Sequence, residues 1–597
     1  MKIHGIHVNK YLALLPLLVI LVVGSLLHFA NTMAAPPLDD PTGSGTPLLP
    51  SEQEAPKRIG SEQGALLPRA GFVPPSLDLS HLKGTWPGPS RITAQSNWDW
   101  RDTGMVSSVK NQGDCGACSY FAGLAHFESR LLVGRAGSWD FSENNVRECN
   151  WREVNNYNGG AGCSGINYRD IANMLSKKGT VLESCDPYVP LDVDCNLACP
   201  YQKTLLDWRV ITGDAVPSTD VLKNYVQTYG PVSTTLYVGE YPSNVGAWRA
   251  EFGFYDGSYT LYYTGTQQAN HAVLIVGWDD TLTHAGSAPG GWIVKNSWGT
   301  DWGANGFFTI AYGSANIGKY ASFIYAWQDY DNNGALMYYD EAGWTSAAGY
   351  GSTTAWGLVT FTPTTNTYAT RVEFWTTDAT TDVDVYIFDD FNPSTHRPSN
   401  LLGSRLNNAF DEAGYHSVAL APTLPITQSD DVIVVVKFTN ASYTFPFPYD
   451  DVGPKETGRT YVSSKGISWT DMASTAYPGN VGIRLRTASS VSPTAPAAPG
   501  NLAATVVSQT EINLAWSDNS NDRTGFRIER SLDGSSGWTQ VATVGADVTT
   551  YSDTGLTCAT AYHYRVSAYN AGGASVYSDV VSATTALCKF YLPTILR

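Results

Sequence analysis

The pattern of apolar and polar positions divides the chain of 597 residues into regions of different structure. The run FAGLAHFESRLLV, which starts at Phe121, has the spacing of an amphipathic helix. The nearly continuous apolar runs His271–Gly277 and Gly291–Asn296 instead predict buried strands. Because both patterns occur in one stretch, we predict an α+β domain over residues 93–328.

A strand pattern without helices extends over residues 335–487. The runs ATRVEFWTT, VDVYIFDD and DVIVVVKFT are rich in β-branched and aromatic residues, with Asp, Asn, Gly and Pro between them. Residues 488–498 are rich in Pro, Ala and Ser, which is typical of a linker. In residues 499–586 apolar and polar positions again alternate, which predicts strands. We therefore predict a multidomain chain in which an α+β domain precedes two all-β sandwich domains.

The first 34 residues have the features of an export signal. Lys2 and Lys10 precede the uncharged stretch Tyr11–Ala30, and Ala34 offers a small-residue cleavage position. A retained membrane anchor is the alternative, because about 20 apolar residues can span a bilayer. In both cases we expect a secreted, extracellular protein, with association with the cell surface left open.

Two further segments show no periodic spacing of apolar residues. Residues 35–92 are rich in Pro, Gly and Ser, and we expect a propeptide or a plain linker that packs weakly. Residues 587–597 form a C-terminal tail that includes KFYLPTILR, which is too short to span a bilayer. This tail is either a final strand or a surface-sorting signal.

The charge argues against one class of partner. The chain has 54 acidic and 37 basic residues, a net charge of −17, so an extended basic face for nucleic acid is not expected. The acidity is consistent with the solubility of an extracellular protein.

The chain contains nine cysteines, and an odd number in an exported protein leaves one thiol unpaired. Cys118 follows the Gly-containing turn Gln112-Gly-Asp-Cys115-Gly-Ala and begins the predicted helix. The partial positive charge at a helix start favours a thiolate, the nucleophilic form of cysteine. A redox pair or half of a zinc site is the alternative for Cys115-x-x-Cys118, but the sequence has no second Cys-x-x-Cys and no βαβ context.

A cysteine nucleophile needs a base and a group that orients the base. His271 stands at the head of one apolar strand, and Asn296 stands at the end of the next. Trp298 follows closely and could cover the contact between them. We predict Cys118 as nucleophile, His271 as base and Asn296 as the orienting residue.

Four segments in this order resemble the signatures of the papain family (C1-type) of cysteine peptidases. They are Trp98-Asp-Trp-Arg101, Gln112-Gly-x-Cys115-Gly-Ala-Cys118, Asn270-His271-Ala-Val and Lys295-Asn296-Ser-Trp298-Gly299-x-x-Trp302-Gly303. The resemblance implies that the side chain of Gln112 and the backbone N–H of Cys118 form an oxyanion hole. It also implies a thiolate–imidazolium pair, shielding of Asn296 by Trp298, and catalysis without a cofactor or metal.

The resemblance implies a substrate channel as well. Cys163-Ser-Gly165-Ile166 stands where the family commonly has Cys-x-Gly-Gly, and Ile166 is expected to pair with an extended peptide while it narrows the cleft. Asn270 and Thr235 are expected at the pocket for the second residue upstream of the cut, and Trp298 completes the predicted substrate-binding set. Ser119 departs from the family, which usually has Trp or Tyr after the nucleophile.

Disulfides and the C-terminal domains complete the predictions. By resemblance, Cys115 pairs with Cys163 and Cys149 with Cys195, which leaves Cys185 with Cys199 as an additional bridge. Cys558 and Cys588 bracket the last strands and are expected to pair. The last domain resembles a fibronectin type III domain, with a core Trp and a hydrogen-bonded Tyr late in the fold; the residues concerned are Trp516 and Tyr562 or Tyr564.

These features predict a secreted cysteine endopeptidase that acts on proteins or peptides. Residues 335–487 resemble a lectin-like domain, which leaves binding of carbohydrate or cell-surface material open. The rival prediction is a carbohydrate-binding adhesin with an inactive peptidase domain. The aromatic residues considered for that role, which are more typical of a core, are Trp344, Trp356 and Trp375.

Overall fold

The computed structural model describes residues 69–86, 95–150, 162–240, 246–488, 496–520, 523–570 and 573–588. The predicted export signal, residues 35–68 of the propeptide or linker, and the KFYLPTILR segment lie outside the described residues. Within the ranges given, no helix is long and apolar enough to cross a membrane.

The first domain, the predicted peptidase domain, contains five described helices and seven strands. Helices α1 to α5 are Cys118–Val133, Glu143–Glu148, Tyr168–Lys177, Thr219–Tyr229 and Ala247–Gly253. Short 3-10 helices lie at Trp100–Thr103, Gly162–Ser164 and Ser314–Asn316. Strands β1 to β7 are Asn97–Asp99, Lys203–Val210, Val232–Leu236, His271–Asp279, Gly291–Lys295, Phe307–Ala311 and Lys319–Asp329. The predicted α+β class is confirmed.

Helix α1 is the centre of this domain. Nearly all its side chains are buried, on every face, because it packs against β4, α2 and α3. The next two helices begin at polar caps: Ser142 accepts from Asn145 N–H before α2, and Asn167 accepts from Arg169 N–H before α3. Helix α1 instead follows Ala117, which provides no side-chain cap. The start of α1 therefore presents its first-turn amides beside Cys118 without a competing side-chain oxygen.

The second domain is an all-β sandwich, as predicted. Strands β8 to β20 are Ala335–Met337, Ser346–Ala348, Thr354–Phe361, Thr367–Thr376, Asp382–Asn392, Arg397–Ala409, Ala413–Ile426, Val432–Thr439, Phe447–Asp450, Thr460–Ser463, Thr470–Asp471, Asn480–Val481 and Ile483–Ala488. One face of the sandwich is a six-stranded sheet in the order β13-β12-β15-β10-β17-β18, and β19-β16-β9 form a smaller sheet.

The remaining sandwich strands continue the sheet of the peptidase. The combined sheet has the order β6-β5-β4-β3-β7-β2-β14-β11-β20-β8, with β1 paired to β4. The junction is the antiparallel pair β2–β14, in which Gly414 lies opposite Arg209. A Cβ atom on Gly414 would lie 2.1 Å from the carbonyl oxygen of Trp208, so a glycine is required there. The two domains thus share one hydrogen-bonded sheet.

Burial in the sandwich decides the role of the three tryptophans considered above. Trp344 is 2% exposed and Trp375 is fully buried. Trp356 is half-buried and packs against a second apolar cluster on the outer side of β10. Trp344 and Trp375 are therefore core residues and not sugar platforms.

The third domain has two sheets, β21-β22-β25 and β24-β23-β26-β27, with β28 paired to β26. Strands β21 to β28 are Gly500–Val506, Glu511–Ser517, Gly525–Ser531, Thr539–Gly545, Thr550–Thr554, Ala561–Asn570, Gly573–Ala574 and Val581–Thr584. Trp516 is in its core, and the hydroxyl of Tyr562 accepts from the backbone N–H of Thr557 at 3.0 Å. The prediction for Tyr562 is confirmed, whereas Tyr564 donates to Asp553 instead.

Candidate active site

Cys118 is the first residue of α1, as predicted, and its side chain is fully buried. Its sulfur accepts two backbone hydrogen bonds, from Ala272 N–H at 3.4 Å and from Gly71 N–H at 3.3 Å. The contact with Ala272 places the sulfur beside His271, at the start of β4. Within the described ranges, Cys118 is the free cysteine, which confirms the prediction from the odd count.

His271 is oriented by Asn296, which directly follows β5. The ring atom Nε2 lies 2.8 Å from Asn296 Oδ1. Asn296 Oδ1 also accepts from the backbone N–H of Ser297 at 2.9 Å, which identifies this atom as the amide oxygen. Nε2 of a neutral His271 therefore carries the proton and Nδ1 is the lone-pair nitrogen, for which no partner exists among the described residues. Nδ1 is thus available as a base.

The His271–Asn296 contact is covered by aromatic side chains. The Trp298 ring centroid lies 5.2 Å from that of His271, and Phe252 packs edge-on to Trp298 at 5.2 Å. Arg249 lies over the Trp298 ring at 5.5 Å. Because Trp298 is only 4% exposed, it excludes water from the hydrogen bond rather than offering a surface to a substrate.

Gln112 is fully buried, with both ends of its amide engaged. Oε1 accepts from the hydroxyl of Ser297 at 2.6 Å. Nε2 donates to the carbonyl of Cys115 at 2.7 Å and to the carbonyl of Arg69 at 2.9 Å. The contact with Ser297 fixes the amide so that its N–H groups face the nucleophile loop. Ser297 has no predicted role in the sequence, although it lies inside the Lys-Asn-Ser-Trp motif.

Comparisons with known proteins agree with this geometry. Residues 94–326 match the model of the papain family cysteine proteases, residues 336–487 match the lectin like domain, and residues 497–584 match the fibronectin type III domain. Mouse pro-cathepsin H is 31% identical over 254 residues, which cover 41% of this chain and 67% of that protein. The chain belongs to the papain family of cysteine proteases.

One more relative and one solved structure show the extent of the match. A cathepsin L-like proteinase of Fasciola hepatica is 32% identical over 227 residues, 38% of this chain and 62% of that protein. The chain therefore spans less than two thirds of that relative's length. The crystal structure of the cysteine protease and lectin-like domains of Cwp84, a surface layer associated protein of Clostridium difficile, is similar with a TM-score of 0.57. It is 20% identical and the match covers 72% of this chain and 94% of that one, which shows the same fold.

In this papain-family chain, residues 69–73 of the N-terminal segment occupy the cleft. The carbonyl of Gly71 accepts from Ile166 N–H at 3.0 Å, and Val73 N–H donates to the Ile166 carbonyl at 3.2 Å. These two bonds form a parallel bridge between Phe72 and Ile166. Phe72 N–H donates to the carbonyl of Asn270 at 2.9 Å. The segment therefore forms backbone hydrogen bonds with both walls of the cleft.

The segment passes the nucleophile at a glycine. A Cβ atom on Gly71 would lie 1.8 Å from the carbonyl oxygen of Gly116, so only glycine fits this close to the nucleophile loop. The Cys118 sulfur faces the N–H of Gly71. Because the sulfur contacts the N–H of Gly71, the carbonyl carbon of Gly71 is not presented to it for attack.

A second part of the segment anchors it between two domains. Leu79 and Leu82 are buried, and the Leu82 carbonyl accepts from Gly213 N–H at 2.8 Å. On the sandwich side, the His81 ring stacks on Tyr443 with centroids 3.9 Å apart, and His81 Nε2 lies 2.8 Å from the Thr377 carbonyl. The expectation of weak packing is therefore wrong for residues 69–86.

Burial beneath residues 69–73 changes the protonation of Cys118 and His271. Loss of solvation raises the pKa of the Cys118 thiol, although the N–H groups of Ala272 and Gly71 partly oppose this. The pKa of His271 is lowered to about 4, mainly by the same loss of solvation, which outweighs the raising effect of the hydrogen bond with Asn296, and to a smaller extent by Arg249. At neutral pH the covered state therefore favours a neutral thiol and imidazole, and not the ion pair that the resemblance implies.

The predicted substrate-binding residues fall into two groups. Ile166 and Asn270 hold the backbone of the cleft segment, and Gly165, at φ 91°, lies so close that a Cβ atom would be 2.1 Å from the Gly71 carbonyl oxygen. Thr235 is buried beside the cleft and donates to the Lys319 carbonyl, while Trp298 covers His271. The side chain of Ile166 is 1% exposed and belongs to the core cluster that contains Phe72.

Four disulfides confirm the predicted connectivity: Cys115–Cys163, Cys149–Cys195, Cys185–Cys199 and Cys558–Cys588. The first bridge joins the nucleophile loop to the cleft wall at Gly165. Arg147, which is fully buried, donates to Cys115 Sγ at 2.9 Å and to the Leu191 carbonyl. Sequence reasoning did not single out Arg147, because only the folded chain brings it to the disulfide.

Proposed function

We propose that this chain is a secreted cysteine endopeptidase that hydrolyses peptide bonds through a thioester on Cys118. The observation that carries the proposal is the coincidence of four groups at one cleft, Cys118, His271, Asn296 and Gln112, with a peptide segment hydrogen-bonded along both walls. Its substrates are proteins or peptides in extended conformation, because the cleft binds backbone groups.

The reaction follows from the positions of these groups. In the processed enzyme His271 Nδ1 holds the thiol proton, so the Cys118 thiolate attacks the peptide carbonyl carbon. The carbonyl oxygen becomes an oxyanion that accepts from Gln112 Nε2. His271 then gives the proton to the leaving amine, and the C–N bond breaks to leave a thioester. Water then attacks the thioester, with His271 again acting as the base. The C–S bond breaks, which releases the N-terminal product as a carboxylic acid and restores Cys118.

The proposal includes a latent form in which residues 35–92 act as a propeptide. The carbonyl of Arg69 accepts a hydrogen bond from Gln112 Nε2, and the N–H of Gly71 donates to the Cys118 sulfur. In addition, Cys118 is a neutral thiol and not a thiolate. All three groups needed for attack are thus engaged or uncharged while the segment is bound. Removal of the segment lets water reach the dyad, which favours the charged pair.

The accessory domains are proposed to bind substrate or surface material and to keep the enzyme outside the cell. The sandwich shares a sheet with the peptidase, so anything it binds is held at a fixed position relative to the cleft. The relative Cwp84 is described as surface layer associated, which is consistent with this location.

The test is hydrolysis of denatured casein by purified protein under reducing conditions, after removal of residues 35–92. Wild type should be active and Cys118→Ala inactive. Lack of activity in the processed wild-type protein, or equal activity in both, contradicts the proposal.

A further inference from the structure

A small cavity lies beside the pocket that holds Phe72. It has a volume of about 20 Å³, enough for about one water-sized group. The Phe72 ring contacts Tyr168 and Tyr320, with centroids 6.5 and 5.1 Å away, and both tyrosines also line the cavity. Ala272 and Thr235 form another part of its wall. The pocket of Phe72 and the cavity therefore share their walls.

The cavity exists because Ser119 is small. Ser119 lines it, together with Gly123 one turn later on α1. The hydroxyl of Ser119 donates to the Ile166 carbonyl at 2.9 Å, so this side chain is directed at the cleft strand. With these two small residues in its wall, part of this space stays open.

One group on the cavity wall has no partner. Tyr168 is 7% exposed, and its hydroxyl forms no hydrogen bond within the described part of the chain. Its ring is held between Trp208 and Tyr320, with centroids 5.3 and 5.7 Å away. A buried hydroxyl without a partner is unfavourable, so a polar atom of a ligand in this cavity would be stabilised there.

We propose that this enzyme selects tyrosine as the second residue upstream of the cut. The ring occupies the pocket of Phe72, and the phenol oxygen, one heavy atom more than Phe72 has, enters the cavity and pairs with the hydroxyl of Tyr168. This inference rests on the proposed peptidase function and names the substrate class for the same cleft. Tyr168 acts here as a specificity residue that contacts the substrate.

The test uses three fluorogenic peptides that differ only in the second residue upstream of the cut, which is Tyr, Phe or Leu. The enzyme is used after removal of residues 35–92 and keeps all three domains. Its kcat/KM for the Tyr peptide should exceed that for the Phe peptide about tenfold. In Tyr168→Phe, which removes one buried oxygen, this ratio should fall to about one.

Tyr320→Phe is the matched control. Its hydroxyl already pairs with Gln268 at 3.2 Å, so the Tyr to Phe ratio should stay at the wild-type value. A wild-type ratio of one or below, or a ratio that persists in Tyr168→Phe, overturns the inference. If the Leu and Phe peptides are cleaved without a preference for Tyr, only this inference fails. If no peptide and no casein is cleaved, the proposed function fails with it.

Discussion

The backbone N–H of Gly71 donates to the sulfur of Cys118 across 47 positions of the sequence. The nucleophile thus contacts a residue of its own N-terminal segment, in a cleft where Gln112 and Ile166 are also bound to that segment. In the proposed latent form, specific hydrogen bonds and the anchor that holds them in place therefore block Cys118.

The anchor gives the first prediction. His81→Ala removes the ring stack on Tyr443 and the contact with Thr377. An aromatic pair contributes about 0.5–1.5 kcal/mol, so the latent form should activate itself about 2- to 10-fold faster. The measurement is the lag before casein hydrolysis after purification of the full chain.

Tyr443→Ala should shorten the lag to a similar extent, because it removes the same stack from the sandwich side. Tyr477→Ala, at a 71% exposed position of the sandwich, is the control and should keep the wild-type lag. An unchanged lag in both His81→Ala and Tyr443→Ala would show that the anchor has no part in latency.

The oxyanion hole gives the second prediction. Gln112→Ala should lower kcat about 10²- to 10³-fold with little change in KM, because its N–H acts on charge that develops during the reaction. Ser297→Ala leaves the Gln112 amide in place but removes the bond that fixes its orientation. We expect about a tenfold loss of kcat in Ser297→Ala, measured on the processed enzyme with the Leu peptide. Full activity of Gln112→Ala would contradict the assigned role.

Acid sensitivity gives the third prediction. Burial lowers the pKa of His126 from 6.5 to about 3, and its Nε2 accepts from Ile324 N–H, so the folded protein holds it neutral. The unfolded chain binds a proton below pH 6.5, so this contribution to stability is complete above pH 6.5 and declines as the pH falls toward 3. At pH 5 the loss is about 2 kcal/mol.

His126→Gln retains an acceptor for Ile324 and cannot titrate. Its free energy of unfolding, measured with urea, should fall less than that of wild type between pH 7 and pH 5. His284→Gln, in a partly exposed loop, should follow the wild-type decline. Parallel pH profiles for His126→Gln and wild type would refute the assigned state of His126.

The junction of peptidase and sandwich gives the fourth prediction. Arg484 of the sandwich is fully buried, pairs with Asp340 at 2.8 Å and donates to Asn173 on α3 at 2.6 Å. Arg484→Met leaves the Asp340 carboxylate buried without its cation and should cost about 3–5 kcal/mol in the free energy of unfolding. Removing both charges, in Arg484→Met with Asp340→Leu, should recover much of that loss.

The matched control for Arg484 is Glu456→Ala. Glu456 forms an exposed pair with Arg459 at 4.0 Å, and its loss should cost less than about 1 kcal/mol. Urea unfolding of the full chain measures all three variants. Equal stability of Arg484→Met and wild type would mean that the buried pair does not couple the domains.

The sequence predicts the positions of Cys118, His271 and Asn296 in the fold well, because local patterns carry them. The helix start at Cys118 and the strand boundaries at His271 and Asn296 are all visible as apolar periodicity. The odd number of cysteines identifies the free thiol independently of any motif. Both kinds of signal depend on neighbours in the sequence or on a count, and not on distant contacts.

Other features depend on contacts between distant segments. Phe72, Leu79 and Leu82 lie in a short segment that is interrupted by Pro and polar residues, so their burial in the cleft and at the domain junction could not be predicted. The pairing of Gly414 with Arg209, which joins the two sheets, has no local signal either. The burial of Trp375 could not be predicted either, because the sequence does not show which face of the sheet an aromatic residue on a strand occupies.

The central claim is that Cys118 carries the acyl group. Rapid mixing of the processed enzyme with a p-nitrophenyl ester of a short peptide, followed by acid quench and peptide mass spectrometry, tests it directly. We predict a burst of p-nitrophenol and an acyl mass on the peptide that contains Cys118, both absent in Cys118→Ala. An acyl mass on another residue, or an undiminished burst in Cys118→Ala, would contradict the account.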